Sequence, residues 1–174
     1  MEYMVADPSA CVFETFGFPN IFGTTIIDVQ ASLVSNFSSP APAIFRLSQP
    51  TVRVQNATFC NVTVLYTHPG HEDFITVETW LPVENYNHRL QAVGGGGWWA
   101  GRFALSYMGM AGALNDGYAT VTTDAGIPDG LEPDSWALFS PGNVNQDKFR
   151  DLASRSVEDM VRRSSRNGIK QPAC

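Results

Sequence analysis

The stretch Arg89–Thr123, RLQAVGGGGWWAGRFALSYMGMAGALNDGYATVTT, decides how the chain is read. A short extended run, Arg89–Val93, ends directly in four consecutive glycines, Gly94–Gly97, set against Trp98 and Trp99. Small and apolar residues from Phe103 to Leu114 predict a helix, and Asn115-Asp116-Gly117 predicts its end. Tyr118–Thr123 is apolar and β-branched, the composition of a strand buried in a parallel sheet. Strand, loop, crossover helix and strand in that order place the chain in the α/β class.

Working outward, Thr51–Val54 and Phe59–Tyr66 read as strands, and Phe74–Leu81 alternates Ile75, Val77 and Thr79 against Thr76, Glu78 and Trp80. The linker THPGHED between the last two carries a Pro-Gly turn, so they form an antiparallel hairpin. Residues 1–50 are rich in Ser, Pro, Ala and Phe without sustained period, and SNFSSPAPAIF within them reads as a connecting arm. Downstream of Thr123 comes a long loop, DAGIPDGLEPDSWALFSPGNVN. A final helix follows, with Asn145 as N-cap, Phe149, Leu152, Ala153, Val157, Met160 and Val161 on one face, and Asn167-Gly168 as its stop. The division is an N-terminal arm over 1–50 and one α/β unit over 51–174, with no internal repeat.

With 174 residues and 44% hydrophobic content the chain is long enough for one domain with a core. Its net charge of −6 is uneven, with 13 acidic and 4 basic residues through Gln146 and 4 acidic and 7 basic from Asp147 onward. An acidic body argues against nucleic acid, which is bound through Lys and Arg. Arg162, Arg163, Arg166 and Lys170 instead suit the C-terminal end of a helix. No apolar run is long enough to span a bilayer, and MEYMVADPSAC shows neither a basic leader nor an apolar core of a signal peptide. Three glycosylation sequons, Asn36-Phe-Ser, Asn56-Ala-Thr and Asn61-Val-Thr, nevertheless point to a secreted, extracellular protein. Cys11 and Cys60 are able to close a loop of about 50 residues, worth roughly 4 kcal/mol in the chain-entropy model, and Cys174 is left over. No Cys/His spacing fits a structural zinc site.

Glycines cost stability in regular structure, so a run of them has a reason. Gly95-x-Gly97-x-x-Ala100, with Asp116 downstream, fits part of a dinucleotide-binding fingerprint. Against it, two tryptophans occupy the turn that would approach a pyrophosphate, and an antiparallel hairpin precedes the first strand. No Gly-Lys-Ser/Thr follows, which excludes a Walker loop. The other chemical use is an oxyanion hole, in which a loop between the third strand and first helix of an α/β-hydrolase turns backbone N–H groups toward a developing alkoxide. A tight turn packed by tryptophans is the plain structural alternative. The antiparallel start followed by a crossover helix matches the opening of an α/β-hydrolase better than a dinucleotide domain.

His68 and His71, beside Glu72 and Asp73, read as solvated turn residues, and His88 as a cap or solvated end before the third strand. Asp124 ends a parallel strand, where ligands bind in open α/β sheets, and is equally suited to tying down the next loop. Ser140, in FSPGN, lacks the strand-turn-helix setting of a nucleophile and reads as a turn residue.

The stretches FCNVTVLYTHPGHEDFITVETWLP, NHRLQAVGGGGWWAG, GYATVTTDAG, WALFSPGNVN and DLASRSVEDM, in this order over about Ala57–Val161, resemble the tannase and feruloyl esterase family of secreted serine esterases. The resemblance implies the N-terminal part of an α/β-hydrolase fold with an incomplete sheet and no lid domain. Its substrates would be hydroxycinnamate or gallate esters, free or linked to plant polysaccharide, with neither nucleic acid nor membrane as partner. It also implies Gly95, Gly96 and Gly97 as oxyanion-hole donors, Trp98 and Asp124 as an active-site rim, and a Cys11–Cys60 disulfide. The family's Cys-Ser-x-Gly-Gly elbow has no match in SRNGIKQPAC, and Cys174 has no following serine. The expectation is a chain without the catalytic triad, inactive alone, with no cofactor because the family's calcium sits in the lid. Its half-sheet should also leave an unpaired parallel edge and poor solubility. The oligomeric state is left open. The competing readings are a non-catalytic module stacking aromatic or sugar ligands on Trp98 and Trp99, and a nucleotide-binding domain.

Overall fold

The computed structural model describes residues 8–46, 49–128 and 130–162 of the chain. Its elements run in the order α1 (Phe13–Phe16), β1 (Thr25–Ala41), β2 (Val52–Thr67), β3 (Ile75–Pro82), β4 (Leu90–Ala92), α2 (Ala104–Asn115), β5 (Ala119–Thr123), α3 (Asp134–Ala137), β6 (Leu138–Ser140), β7 (Asn143–Val144), α4 (Gln146–Arg150) and α5 (Ser156–Arg162). Five strands form a mixed sheet in the order β1-β2-β3-β5-β4. β1, β2, β3 and β5 pair antiparallel in turn, and β4 pairs parallel with β5. The sequence pattern foresaw the β4–α2–β5 crossover and the β2–β3 hairpin, whose turn is closed by His71 N–H donating to the His68 carbonyl, with Gly70 at φ +84°.

Strand alternation divides the core between the two faces of the sheet. Phe59 and Trp80 look toward Met110, Ala111 and Leu114 of α2, with Val54 in the same cluster. The rings of Phe59 and Trp80 stack at 4.5 Å, and Tyr107 lies parallel to Trp80 at 5.9 Å. On the opposite face Tyr66, Ile75, Val77 and Val121 meet Met160 of α5. Cys60, Val62 and Leu81 pack there with Cys11, which is disulfide-bonded to Cys60. The result is a helix on each side of a sheet, an α/β layering. Gly112 lets Arg46 run against α2, because a methyl there would overlap Arg46 Nε.

Three local readings are corrected. The supposed arm is a sheet strand over Thr25–Ala41, paired with β2 from Thr25–Thr67 to Ala41–Val52. Its register shifts at Ile26/Asp28 and Val34/Phe37 each place an extra residue in β1 and break the period of two that marks a strand in sequence. The loop after Thr123 holds α3 and the β6–β7 hairpin, with Ser140 entering the Pro141-Gly142 turn as a turn residue. The last helix starts at the Asn145 cap, whose side chain accepts from Lys148 N–H, but Asp151–Arg155 forms a π-turn. That wider turn rotates the remainder of the helix. Ser156, Asp159 and Met160 face inward, and Val157 and Val161 of the expected apolar face are 45% and 43% exposed. Arg163, Arg166, Lys170, the Asn167-Gly168 stop and Cys174 lie outside the described residues. No helix among the described residues is long and apolar enough to cross a membrane.

Candidate functional site

The glycine loop leaves the sheet at the C-terminal end of β4, the end at which parallel α/β sheets place their ligands. Val93 N–H donates to the Val121 carbonyl at 2.8 Å, the Ser106 hydroxyl donates to the Gly94 carbonyl at 3.0 Å, and Trp99 N–H closes a turn on the Gly96 carbonyl at 3.2 Å. Each glycine has its own reason. A methyl at Gly95 would overlap the Trp99 carbonyl, and one at Gly101 would overlap the Thr122 hydroxyl, so these two permit close backbone approach. Gly97 lies in the left-handed region at φ +62°. Gly96 has open space around it. Gly95, Gly96 and Gly97 are all exposed, and their amides make no hydrogen bond among the described residues.

The two tryptophans take different paths. Trp99 stacks on Phe103 at 5.3 Å, with Gly130 against its indole, and is therefore a packing residue. Trp98 is 45% exposed and meets Trp136 and Phe149 edge-on, each at 6.0 Å. Trp136 also lines a cleft of about 830 Å³ with Asp73, Phe74, Asp124, Ile127 and Lys148. The glycines and Trp98 are not among the cleft's lining residues. The structure thus puts Asp124 in the cleft and the exposed amides beside it, with the Trp98–Trp136 contact between them.

Asp124 accepts from Thr76 N–H at 2.9 Å and Gly126 N–H at 2.8 Å, and takes a 3.0 Å bond from Arg102. Arg102, which sequence reading passed over, ends the glycine loop at φ +52°. Its guanidinium bridges Asp124 and buried Glu78, the latter at 3.1 Å, and its amide donates to Thr122. Glu78 also accepts from Asn61, Trp80 and Tyr107. Burial, followed by Glu78, pushes the Tyr107 phenol up to about 12. For Arg102, burial works against the charge, and the bond to Glu78 with the surrounding anions more than offsets it, so its pKa is raised. A left-handed non-glycine residue costs about 1–3 kcal/mol; here a charged network holds it.

The histidines also differ from expectation. His68 is buried, with Nδ1 on Asp73 and Nε2 3.0 Å from Asp159, which also accepts from Tyr66 at 3.1 Å. Burial alone would raise the Asp73 pKa, but the His68 amide, the His68 ring and Thr67 bring it below the ordinary carboxylate value. Asp151, fully buried, is raised by burial and by Asp73 despite Arg155 at 3.0 Å, and one of its oxygens has no hydrogen-bond partner among the described residues. His68, Asp73 and Asp151 have the donor types of a metal site. Both ring nitrogens of His68 already face carboxylates, so a cation would have to displace one of those bonds. His71 pairs with Asp147 at 3.3 Å, and exposed His88 packs its ring on Tyr86 while Asn87 does the capping, accepting from Arg89 N–H. None of the three histidines bonds to a serine among the described residues. Asp116, the acidic residue of the dinucleotide reading, is paired with buried Arg46.

The chain is 39% identical over 139 residues to a probable feruloyl esterase of Arthroderma benhamiae, covering 79% of this chain. It is 34% identical over 107 residues to a tannase of Aspergillus oryzae, covering 60% of this chain. The chain belongs to the tannase and feruloyl esterase family. A solved structure of this kind, the tannin acyl hydrolase from Aspergillus niger, superposes with a TM-score of 0.66 over 89% of the chain at 25% identity. The chain spans 24%, 17% and 27% of these three proteins' own lengths. No protein-family model matches it. By name these relatives are an esterase, a tannase and an acyl hydrolase.

Proposed function

We propose that this chain supplies the oxyanion-binding portion of a serine ester hydrolase that cleaves hydroxycinnamate or gallate esters in plant-derived material outside the cell. The observation that carries the reading is the exposed run Gly95–Gly97, whose N–H groups make no hydrogen bond among the described residues, at the C-terminal end of a parallel strand. In acyl transfer the carbonyl oxygen becomes an alkoxide, and preset amide donors stabilise it without reorganising. Removal of one donor raises the barrier by about 2.7–4 kcal/mol. The second donor of such a hole comes from the residue after the nucleophile. Serine, acid and histidine are assigned to sequence outside these 174 residues, because none of the three histidines here bonds a serine among the described residues. Trp98 and Asp124 form the rim, Trp98 by its exposed indole and Asp124 by its place in the cleft. The Cys11–Cys60 bond favours an oxidising, extracellular setting.

The test is hydrolysis of methyl ferulate and of a gallate ester by the purified chain. The expected rate is that of buffer alone, and enzyme-like turnover would place a nucleophile within the chain and overturn the assignment. The exposure of Trp98 favours a second reading, a stacking module for aromatic or sugar ligands, although stacked Trp99 is unavailable for it. Unchanged tryptophan fluorescence at millimolar ferulate and gallate would remove that reading.

A further inference from the structure

Beyond Phe59–Pro82, where β3 stops pairing apart from one bond from Val83 N–H to the Thr58 carbonyl, β1 and β2 continue alone as a two-stranded ribbon. In it Val34–Ala41 lies against Val52–Phe59. α2 covers one face through Val34, Phe37, Val54 and Ala57, but both long edges of the ribbon lack a neighbouring strand among the described residues. Open edges of this length template strand addition from other chains, and proteins that persist outside cells need a device against it. Two register shifts interrupt the ribbon, and next to each lies an asparagine in the left-handed conformation, Asn36 at φ 57° on β1 and Asn56 at φ 54° on β2. Both are exposed and begin sequons, completed by Ser38 and Thr58. A groove of about 250 Å³ between Pro40, Arg53 and Asn56 leaves room beside the second.

Asn61 is placed differently. It lies where β2 is flanked on both sides, opposite Ser32 and Trp80, with its Nδ2 donating to buried Glu78 at 3.2 Å and its Oδ1 shut off from solvent. A sugar on Nδ2 would start beside the Glu78 carboxylate that Arg102 and Tyr107 also bond, in the network that anchors the glycine loop.

We infer that Asn36 and Asn56, and not Asn61, carry N-linked glycans in the native chain, one on each strand of the ribbon, covering edges that the sheet leaves open. This rests on the extracellular reading, since the modification belongs to the secretory route. Transfer precedes folding, so all three sequons meet the enzyme, and the fold selects which products become native. A sugar at Asn61 leaves its Nδ2 a single hydrogen and crowds the buried Glu78 carboxylate, so the chain glycosylated there folds at a cost.

The experiment supplies the route itself: secretion of the 174-residue chain from a eukaryotic host behind a cleavable leader, followed by glycopeptide mapping of the monomeric fraction. Its outcome therefore bears on the geometry and not on where the chain resides in nature. The expected result is occupancy at Asn36 and Asn56 with Asn61 bare. A glycan at Asn61 in that fraction, or either of the other two bare, would overturn the assignment. Enzymatic removal of the glycans from the folded monomer converts each carrier to aspartate, which tolerates the left-handed conformation, so the fold is kept. The treated monomer is expected to shift to larger species in light scattering, and an unchanged peak would refute the edge-covering role.

Discussion

Replacing Gly95 by alanine drives a methyl group into the Trp99 carbonyl, with the carbonyl carbons of Trp99 and Ala100 at 2.7 and 2.9 Å. Non-bonded carbons rest at about 3.5–4.0 Å, so the turn has to open, and the Trp99–Gly96 bond at 3.2 Å opens with it. Overpacking against backbone costs about 1–3 kcal/mol. At this chain length 1 kcal/mol moves Tm by about 2–4 °C, so a fall of roughly 2–12 °C follows. Gly96 is the internal control, because a methyl there meets nothing within 4 Å. Gly96→Ala is expected at or slightly above wild type, by up to about 1 kcal/mol through the unfolded chain. Gly97→Ala, at φ +62°, should cost about 1–2 kcal/mol. Thermal and urea unfolding of the three variants gives the order directly. Gly95→Ala melting with wild type, or Gly96→Ala melting below it, would refute the account of why these glycines are present.

Reducing the Cys11–Cys60 bond, or replacing both residues with serine, should lower unfolding free energy by about 4 kcal/mol, measured as the shift in urea midpoint. Arg102→Met strands the buried Glu78 carboxylate and should cost about 3 kcal/mol, with faster hydrogen exchange at Trp99 and Arg102 amides; Arg102→Lys should lose less. Asp151 binds its proton more tightly folded than unfolded, so its contribution to stability is greatest below the unfolded value of about 3.9. It declines as pH rises through the raised folded value, and Asp151→Asn should flatten that decline in urea midpoints taken from pH 4 to 7. Asp73 has the opposite sign: its stabilisation is present above the unfolded value and lost as pH falls through the lowered folded one, so Asp73→Asn should be most harmful at neutral pH.

The β4–α2–β5 unit was legible because local chemistry agreed with its tertiary setting: apolar β-branched residues at Ala119–Thr123, and Gly117 at φ +81° closing the helix. β1 was hidden because its bulges near Ile27 and Asn36 interrupt the alternation that a strand prints in sequence. The inward face of the last helix was misjudged for a related reason. A π-turn at Asp151–Arg155 moves Ser156 and Asp159 to positions that regular periodicity gives to Val157 and Val161. The buried His68 centre depends on that shift, since Asp159 comes from a helix 91 residues away, and only Asp73 was visible as a neighbour. Of the candidate site, the glycines and Asp124 stood out by residue type and position. Arg102 did not, because its role follows from a left-handed backbone and two carboxylates 24 and 22 residues distant.

The most direct measurement of the oxyanion role is a titration of the isotope-labelled chain with ferulate and with gallate, following backbone amide resonances. The carboxylate oxygens of these acids stand in for the anionic oxygen of the acyl adduct. The expected result is rapid solvent exchange at Gly95, Gly96 and Gly97 in the free chain, and downfield proton shifts at the same amides on titration, with the Trp98 indole moving alongside. Slow exchange at these glycines, or shifts confined to the cleft around Ile127 and Lys148, would contradict it.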